Sequence, residues 1–312
     1  MRAPTGEQFA LTRQVEGFTS RVIVTEVAAA LRQFSLNGID LVEPYEESST
    51  PPSGAGIVLV PWPNRVKDAQ WMLDGQLEQL AVTEPAKGNA IHGLLRYTAY
   101  RVAEHSEHAL TVSATVYPQP GYPFLLDTSV RYELVDDGLH ISHTITNVGD
   151  AKAPVAVGAH PYLKIGDVPT GDLTVRVNAG THFAVDDHLN VVSEHPVFGT
   201  PFDLRGGSRV ADLQVDDGWG GVTIVDGEGS HTLSAPDGRT VSLWGDEHFG
   251  YVQVYTSRSF HTPTASDVAI AIEPMTAPAN ALNSGVGLRW VAPGETWTVR
   301  WGIRHAGFAP VG

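Results

Sequence analysis

Four stretches of the chain set acid, base or hydrogen-bonding side chains inside otherwise apolar or turn-forming sequence. In Val60-Pro61-Trp62-Pro63-Asn64-Arg65-Val66, two prolines stiffen a loop after an expected strand at 56–60 and present Trp62, Asn64 and Arg65 together. A guanidinium offers a planar donor fork to hydroxyls or a carboxylate, and an indole suits the apolar face of a ring. A surface Arg beside a packed Trp is the plainer alternative. In Gly88-Asn89-Ala90-Ile91-His92-Gly93, an imidazole stands next to a glycine that permits close backbone approach. The chain has 13 His, most of which must be exposed or structural. In Val155-Ala156-Val157-Gly158-Ala159-His160-Pro161-Tyr162, an apolar strand ends in His160. Such a His can be held in one tautomer as an acid or base requires, or can be a satisfied core residue. In Val268-Ala269-Ile270-Ala271-Ile272-Glu273-Pro274-Met275, a carboxylate closes a strand of five small or apolar residues. Burial there raises its pKa and makes it a better proton acceptor near neutrality.

Glu273, His160, His92 and Arg65 form an acid and base set with no serine nucleophile. Gly-x-Ser-x-Gly, Walker and HExxH patterns are missing, and the chain has no Cys. Thiolate metal sites, disulfides and Cys nucleophiles are thereby excluded. Such a set can open and close a hemiacetal, one group taking the proton of the anomeric hydroxyl while another protonates the ring oxygen. That chemistry needs no cofactor and no metal.

The elements that must hold these groups are strands. Asn37-Gly38 joins 34–36 to 39–42 as a two-residue hairpin. Asp136-Asp137-Gly138 joins 128–135 to 139–146, with Val130, Tyr132 and Leu134 on one face answered by Ile141 and Ile145. Segments 222–225, 231–234 and 240–244 suggest a meander, and 251–256, 268–272, 287–291 and 296–304 add further strands. Helical signal is confined to the Ala run at 25–31 and a single turn at 210–214. Well over ten strands without βα alternation imply an all-β fold, a large antiparallel β-sandwich, as a single domain over residues 1–312. The 32 Gly and 21 Pro are scattered as turn markers rather than clustered.

With 20 basic against 35 acidic side chains the net charge is −15, which disfavours nucleic acid and anionic membranes as partners. A small-molecule sugar is the expected partner, and a homodimer is left open. The N-terminal segment lacks a continuous apolar run, so the expected location is the cytoplasm.

At these residues the sequence resembles the aldose 1-epimerase (galactose mutarotase) family. The motifs that carry the likeness are Pro63-Asn64-Arg65, Ile91-His92-Gly93, His160-Pro161-Tyr162, Thr200-Pro201-Phe202-Asp203-Leu204-Arg205, Val252-Gln253-Val254-Tyr255-Thr256 and Glu273-Pro274-Met275. The resemblance implies a mutarotase-like supersandwich, with Glu273 as general base on the C1 hydroxyl and His160 as general acid on the ring oxygen. It implies that His92 assists near that oxygen and that Arg65 binds hydroxyls. A further hydroxyl ligand falls on Asp216 or Asp217 in Asp216-Asp217-Gly218-Trp219, with Asp216 the better match. Leu163 after His160-Pro161-Tyr162, and the Pro-Met that follows Glu273, look more like a bacterial branch that includes sulfosugar mutarotases.

Three other readings use the same residues. A sugar-binding or regulatory module would bind without turnover. A metal enzyme would join His92, His160 and Glu273 in a two-His, one-carboxylate site. A glycosidase would pair Glu273 with Asp216.

Overall fold

Apolar and polar residues alternate along most of the chain, and where a turn signal separates two such runs they pair as antiparallel strands. The computed structural model describes residues 2–260 and 268–310. Leu126–Val135 and Gly138–Asn147 pair around Asp136-Asp137, with Leu134 opposite Leu139. Val130, Tyr132, Leu134, Ile141 and Ile145 all face the core. Leu36 pairs with Ile39 across Asn37-Gly38, both of which have the positive φ that this turn requires.

A nine-stranded sheet runs from Arg101–His105 through Ala109–Val116, Leu126–Val135, Gly138–Asn147, Thr296–Ala306, Thr240–Asp246, Glu228–Ser234 and Thr174–Arg176 to Ser208–Arg209. An eight-stranded sheet runs from Val191–Pro196 through Ala179–Val185, Asp216–Val222, Tyr251–Ser257, Ala269–Met275 and Gly158–Ala159 to Val58–Leu59. Its eighth strand, Tyr162–Leu163, pairs beside Ala269–Met275. One core cluster joins the two sheets: Val130, Leu243, Val299 and Ile303 from the larger meet Trp219, Val252, Val254, Ile270 and Ile272 from the smaller. The protein is a large antiparallel β-sandwich, and a small four-stranded sheet from Gln8 to Asp40 adds to it. Among the described residues no helix is long and apolar enough to cross a membrane.

Two local expectations are corrected. The Ala run at 25–31 is a turn between Phe18–Thr25 and Leu31–Leu36, with Ala28 and Ala29 at positive φ. Alanine's helix propensity yields here to the pairing of the flanking strands. Segment 222–225 is not a third strand of the meander. Val222 ends Asp216–Val222 in the other sheet, and Val225 makes only a bridge to Glu228. The single turn at 210–214 is a short 3₁₀ helix, Val210–Asp212.

Several histidines belong to the core. The indole N–H of Trp301 donates to His143 Nε2 at 2.8 Å, and the Asn178 amide donates to His231 Nδ1 at 3.1 Å, so both rings are held as neutral acceptors. Burial pulls His143 down to about 3 and His231 to about 4. A folded value below the unfolded one gives stability that is present above the unfolded value of about 6.5 and lost as pH falls toward the folded values. The melting temperature is therefore expected to drop between pH 7 and pH 5, before ordinary carboxylates titrate. A thermal-melt series that is flat or rising over that interval would contradict the assignment.

Candidate active site

Strand register builds the floor of a cleft. Asp216 lies opposite Tyr255, and Gln253 lies opposite Glu273. Side chains two apart share a face, so Asp216, Gln253, Tyr255 and Glu273 project to one side while Trp219, Val252, Val254, Ile270 and Ile272 enter the core. The same alternation separates the Asp doublet. Asp217 turns to the other side and pairs with His182 Nε2 at 3.0 Å, leaving Asp216 in the cleft. Ala269–Met275 continues past Glu273, so the carboxylate stands within a fully buried strand rather than at its end.

The walls come from loops whose backbones are tied together. Arg65 pairs with Ile91 across a short ladder, and Val60 forms a parallel bridge with Gly93. Asn64 sits at φ 52° and joins both segments: its Oδ1 accepts from the Arg65 amide at 2.8 Å, and its carbonyl accepts from the His92 amide at 2.9 Å. His160 follows Gly158–Ala159 and is fixed by its amide to the Ile57 carbonyl at 3.1 Å. Its ring stacks on Tyr162 at 5.3 Å and meets His92 edge-on at 5.3 Å.

The resulting cleft of about 290 Å³ is lined by Asn64, Arg65, His92, His160, Asp216 and Glu273, with Ser53, Glu84, Ile91, Leu189 and Tyr255. Trp62 is not brought there. It is 2% exposed, packs on Tyr122 at 5.8 Å and belongs to the hydrophobic core, so the indole face expected to meet a sugar is turned away. Its volume is better accommodated between the sheets, and the flanking prolines fix the loop without fixing which face the ring takes.

His160 Nε2 lies 3.3 Å from Glu273 Oε1, and both residues are buried. Burial pushes the Glu273 carboxyl well above its ordinary range; the Asp216 charge adds to this and Arg65 opposes it. Burial pulls His160 down to about 4, and Arg96 and Arg65 add to this against a backbone hydrogen bond that raises it. His92 is also held well below its ordinary value, first by burial and then by His160, Arg96 and Arg65. The opposed shifts and the 3.3 Å contact place Glu273 Oε1 and His160 Nε2 to share a proton. Glu273 Oε2, His160 Nδ1 and His92 Nδ1 are buried and have no hydrogen-bond partner among the described residues.

Arg65 is held charged despite its burial, because Glu84 and Asp216 offset the desolvation. Its Nε and Nη2 donate to the two Glu84 oxygens at 2.9 and 3.0 Å, and Nη2 also reaches Asp216 Oδ2 at 3.3 Å. Gln253 Nε2 donates to Asp216 Oδ1 at 2.8 Å and fixes that carboxylate's orientation. Glu84, Gln253, Tyr255 and Ser53 were not singled out as site residues by the sequence. Gln253 and Tyr255 could have been found from their alternation within Val252-Gln253-Val254-Tyr255-Thr256. Glu84 carries no comparable local signal. Among the described residues no group of three His, Cys, Asp or Glu side chains is arranged to hold a metal ion.

The chain is similar to known proteins in sequence and in fold. The aldose 1-epimerase family model matches residues 16–304. The uncharacterized protein YihR of Escherichia coli K12 is 30% identical over 274 residues, 87% of this chain and 86% of its own length. A GalM/aldose epimerase homologue from C. elegans superposes with a TM-score of 0.81 at 18% identity, covering 97% of this chain and 99% of that one. A galactose mutarotase-like protein from Clostridium acetobutylicum gives a TM-score of 0.79 at 14% identity, covering 97% and 99%. The structural likenesses speak for the sandwich, and the sequence match over most of the length places the chain in the aldose 1-epimerase family.

Proposed function

We propose that the protein is a mutarotase that interconverts the α and β anomers of a free aldohexose or related sugar. The observation that carries this reading is the buried acid and base pair, Glu273 and His160 at 3.3 Å, in one cleft with Arg65, Asp216 and His92. A sugar's C1 hydroxyl placed against Glu273 favours the ionised carboxylate, and the shared proton passes to His160. Glu273 then takes the proton of the C1 hydroxyl as His160 protonates the ring oxygen, the bond from C1 to that oxygen breaks, and C1 becomes an aldehyde. Rotation about the bond between C1 and C2, followed by the reverse transfers, closes the other anomer. Arg65, Asp216 and Asn64 supply donors and acceptors for ring hydroxyls, and His92 supports the ring oxygen. The protons balance within the pair, so nothing is consumed.

Polarimetry on freshly dissolved α-galactose and α-glucose is expected to show enzyme-dependent acceleration of mutarotation. His160→Asn should lower that acceleration by about 10²-fold or more, the size of a general-acid term. Sugar binding with no acceleration over solvent would identify a binding module instead, and full activity in His160→Asn would remove His160 from the mechanism.

A further inference from the structure

Among the described residues Arg65 is the one Arg or Lys lining the cleft, and its contacts leave little of it for a ligand. Glu84 takes the whole Nε and Nη2 edge in a bidentate pair, and Asp216 shares Nη2. The guanidinium is almost fully buried, with its side chain 8% exposed, so it cannot swing to another partner without leaving Glu84 behind. Glu84 is itself held by its backbone. Its amide donates to the Asn89 carbonyl at 3.0 Å, and its carbonyl accepts from the Gly88 amide at 2.9 Å. The neighbouring Thr83 hydroxyl accepts at 2.8 Å from the amide of Ile91, the residue paired with Arg65. The chain thus delivers a carboxylate from a separate loop to the Nε and Nη2 edge of the Arg65 guanidinium.

Charge follows from the same contacts. Among the described lining residues the carboxylates of Glu84 and Asp216 outnumber the Arg65 guanidinium. Arg96 is near enough to act on both imidazoles, but its guanidinium lies over the Tyr97 ring at 4.8 Å and it does not line the cleft. A phosphate or sulfonate needs a free guanidinium edge or a second cation, and among the described lining residues neither is offered.

We propose that Glu84 is a positioning residue for Arg65 and, through its charge, the residue that turns the cleft against sugars bearing a phosphate or sulfonate. The proposal rests on the mutarotase reading and narrows its substrate to neutral sugars. Glu84 locks the guanidinium so that its remaining donor, Nη1, meets a hydroxyl, while the surplus negative charge repels an anionic substituent. The sulfosugar branch to which the sequence bears some likeness calls for the opposite charge.

The test uses glucose, glucose 6-phosphate and a 6-sulfonated glucose with the full chain and with Glu84→Gln, measuring anomer exchange and, separately, calorimetric binding. The native protein should prefer glucose over both anions by about tenfold or more, and that preference should shrink at high salt. Glu84→Gln should narrow it by about 5- to 10-fold and raise KM for glucose by about 3- to 10-fold, with a smaller change in kcat, because Arg65 loses its brace. If the variant does not fold, the salt dependence of the native preference decides alone. A native protein that takes either anion as well as glucose, or a folded Glu84→Gln with unchanged preference, overturns the proposal. Exchange without selectivity sinks Glu84's role but leaves the mutarotase reading standing. Selective binding without exchange does the reverse, and neither binding nor exchange with any of the three sugars overturns both.

Discussion

Glu273→Gln is expected to lower enzyme-dependent anomer exchange by about 10²- to 10⁴-fold while changing stability by only about 1 kcal/mol. The two halves of that expectation have one cause. Burial disfavours the charge on Glu273, and an amide of the same shape can donate to His160 Nε2, so the buried strand loses little. The amide cannot accept the C1 proton, and the relay stops. Because Glu273 and His160 act as one unit, the double variant with His160→Asn should be little worse than either single one.

The pair also fixes the pH dependence. Below the His160 value of about 4 both members are protonated and the base is lost; above the raised Glu273 value both are deprotonated and the acid is lost. The acid limb of kcat/KM should therefore lie near 4 rather than at 6.5, where an unperturbed His would titrate, and the basic limb above the ordinary carboxylate range. An acid limb centred at 6.5 would contradict the buried, neutral His160.

Gly93→Ala is expected to cost about 3–5 kcal/mol and to remove activity together with fold stability. Gly93 adopts φ 70°, and a Cβ there would stand 2.0 Å from the Val60 carbonyl oxygen. That oxygen is fixed backbone in the loop leading to Asn64 and Arg65, and it accepts from the Leu94 amide at 2.8 Å. The clash can be relieved only by separating the segments that place Arg65 and His92 in one wall. Gly75 provides the control, since it has φ 81° and nothing within 4 Å of the added atom. Gly75→Ala carries the dihedral strain alone and should cost about 1–2 kcal/mol. Equal losses of melting temperature in the two variants would refute the close-approach argument.

Most of the strand framework was legible because alternation and turn chemistry agree locally. Asp136-Asp137-Gly138 and Asn37-Gly38 mark hairpins whose flanking residues pair as the pattern requires. Glu273, His160, His92, Arg65 and Asn64 could be singled out as polar groups against an apolar or turn-forming background, Asp216 was implied only by the family resemblance, and the structure brings all six into one cleft. What the sequence could not supply was direction and distance. Asp216 and Asp217 differ only in which face of a strand they occupy, and register decides it. Trp62 reads as a sugar platform by type, yet loop residues have no alternation to say that it faces the core. Glu84 lies 19 residues from Arg65 and meets it only because two distant segments are laced together by the Arg65 and Ile91 pair. The Ala run at 25–31 shows the same limit in reverse, where local propensity points to a helix and strand pairing makes a turn.

In the proposed reaction the Glu273 and His160 pair moves the anomeric proton of a free sugar. Exchange NMR on equilibrated galactose and glucose reads that step itself, by saturation transfer between the α and β anomeric resonances with catalytic amounts of protein. Transfer is expected with the native protein on at least one of these sugars, and none above solvent with Glu273→Gln. No acceleration on either sugar, or equal transfer with the variant, would rule out the proposed roles of the pair.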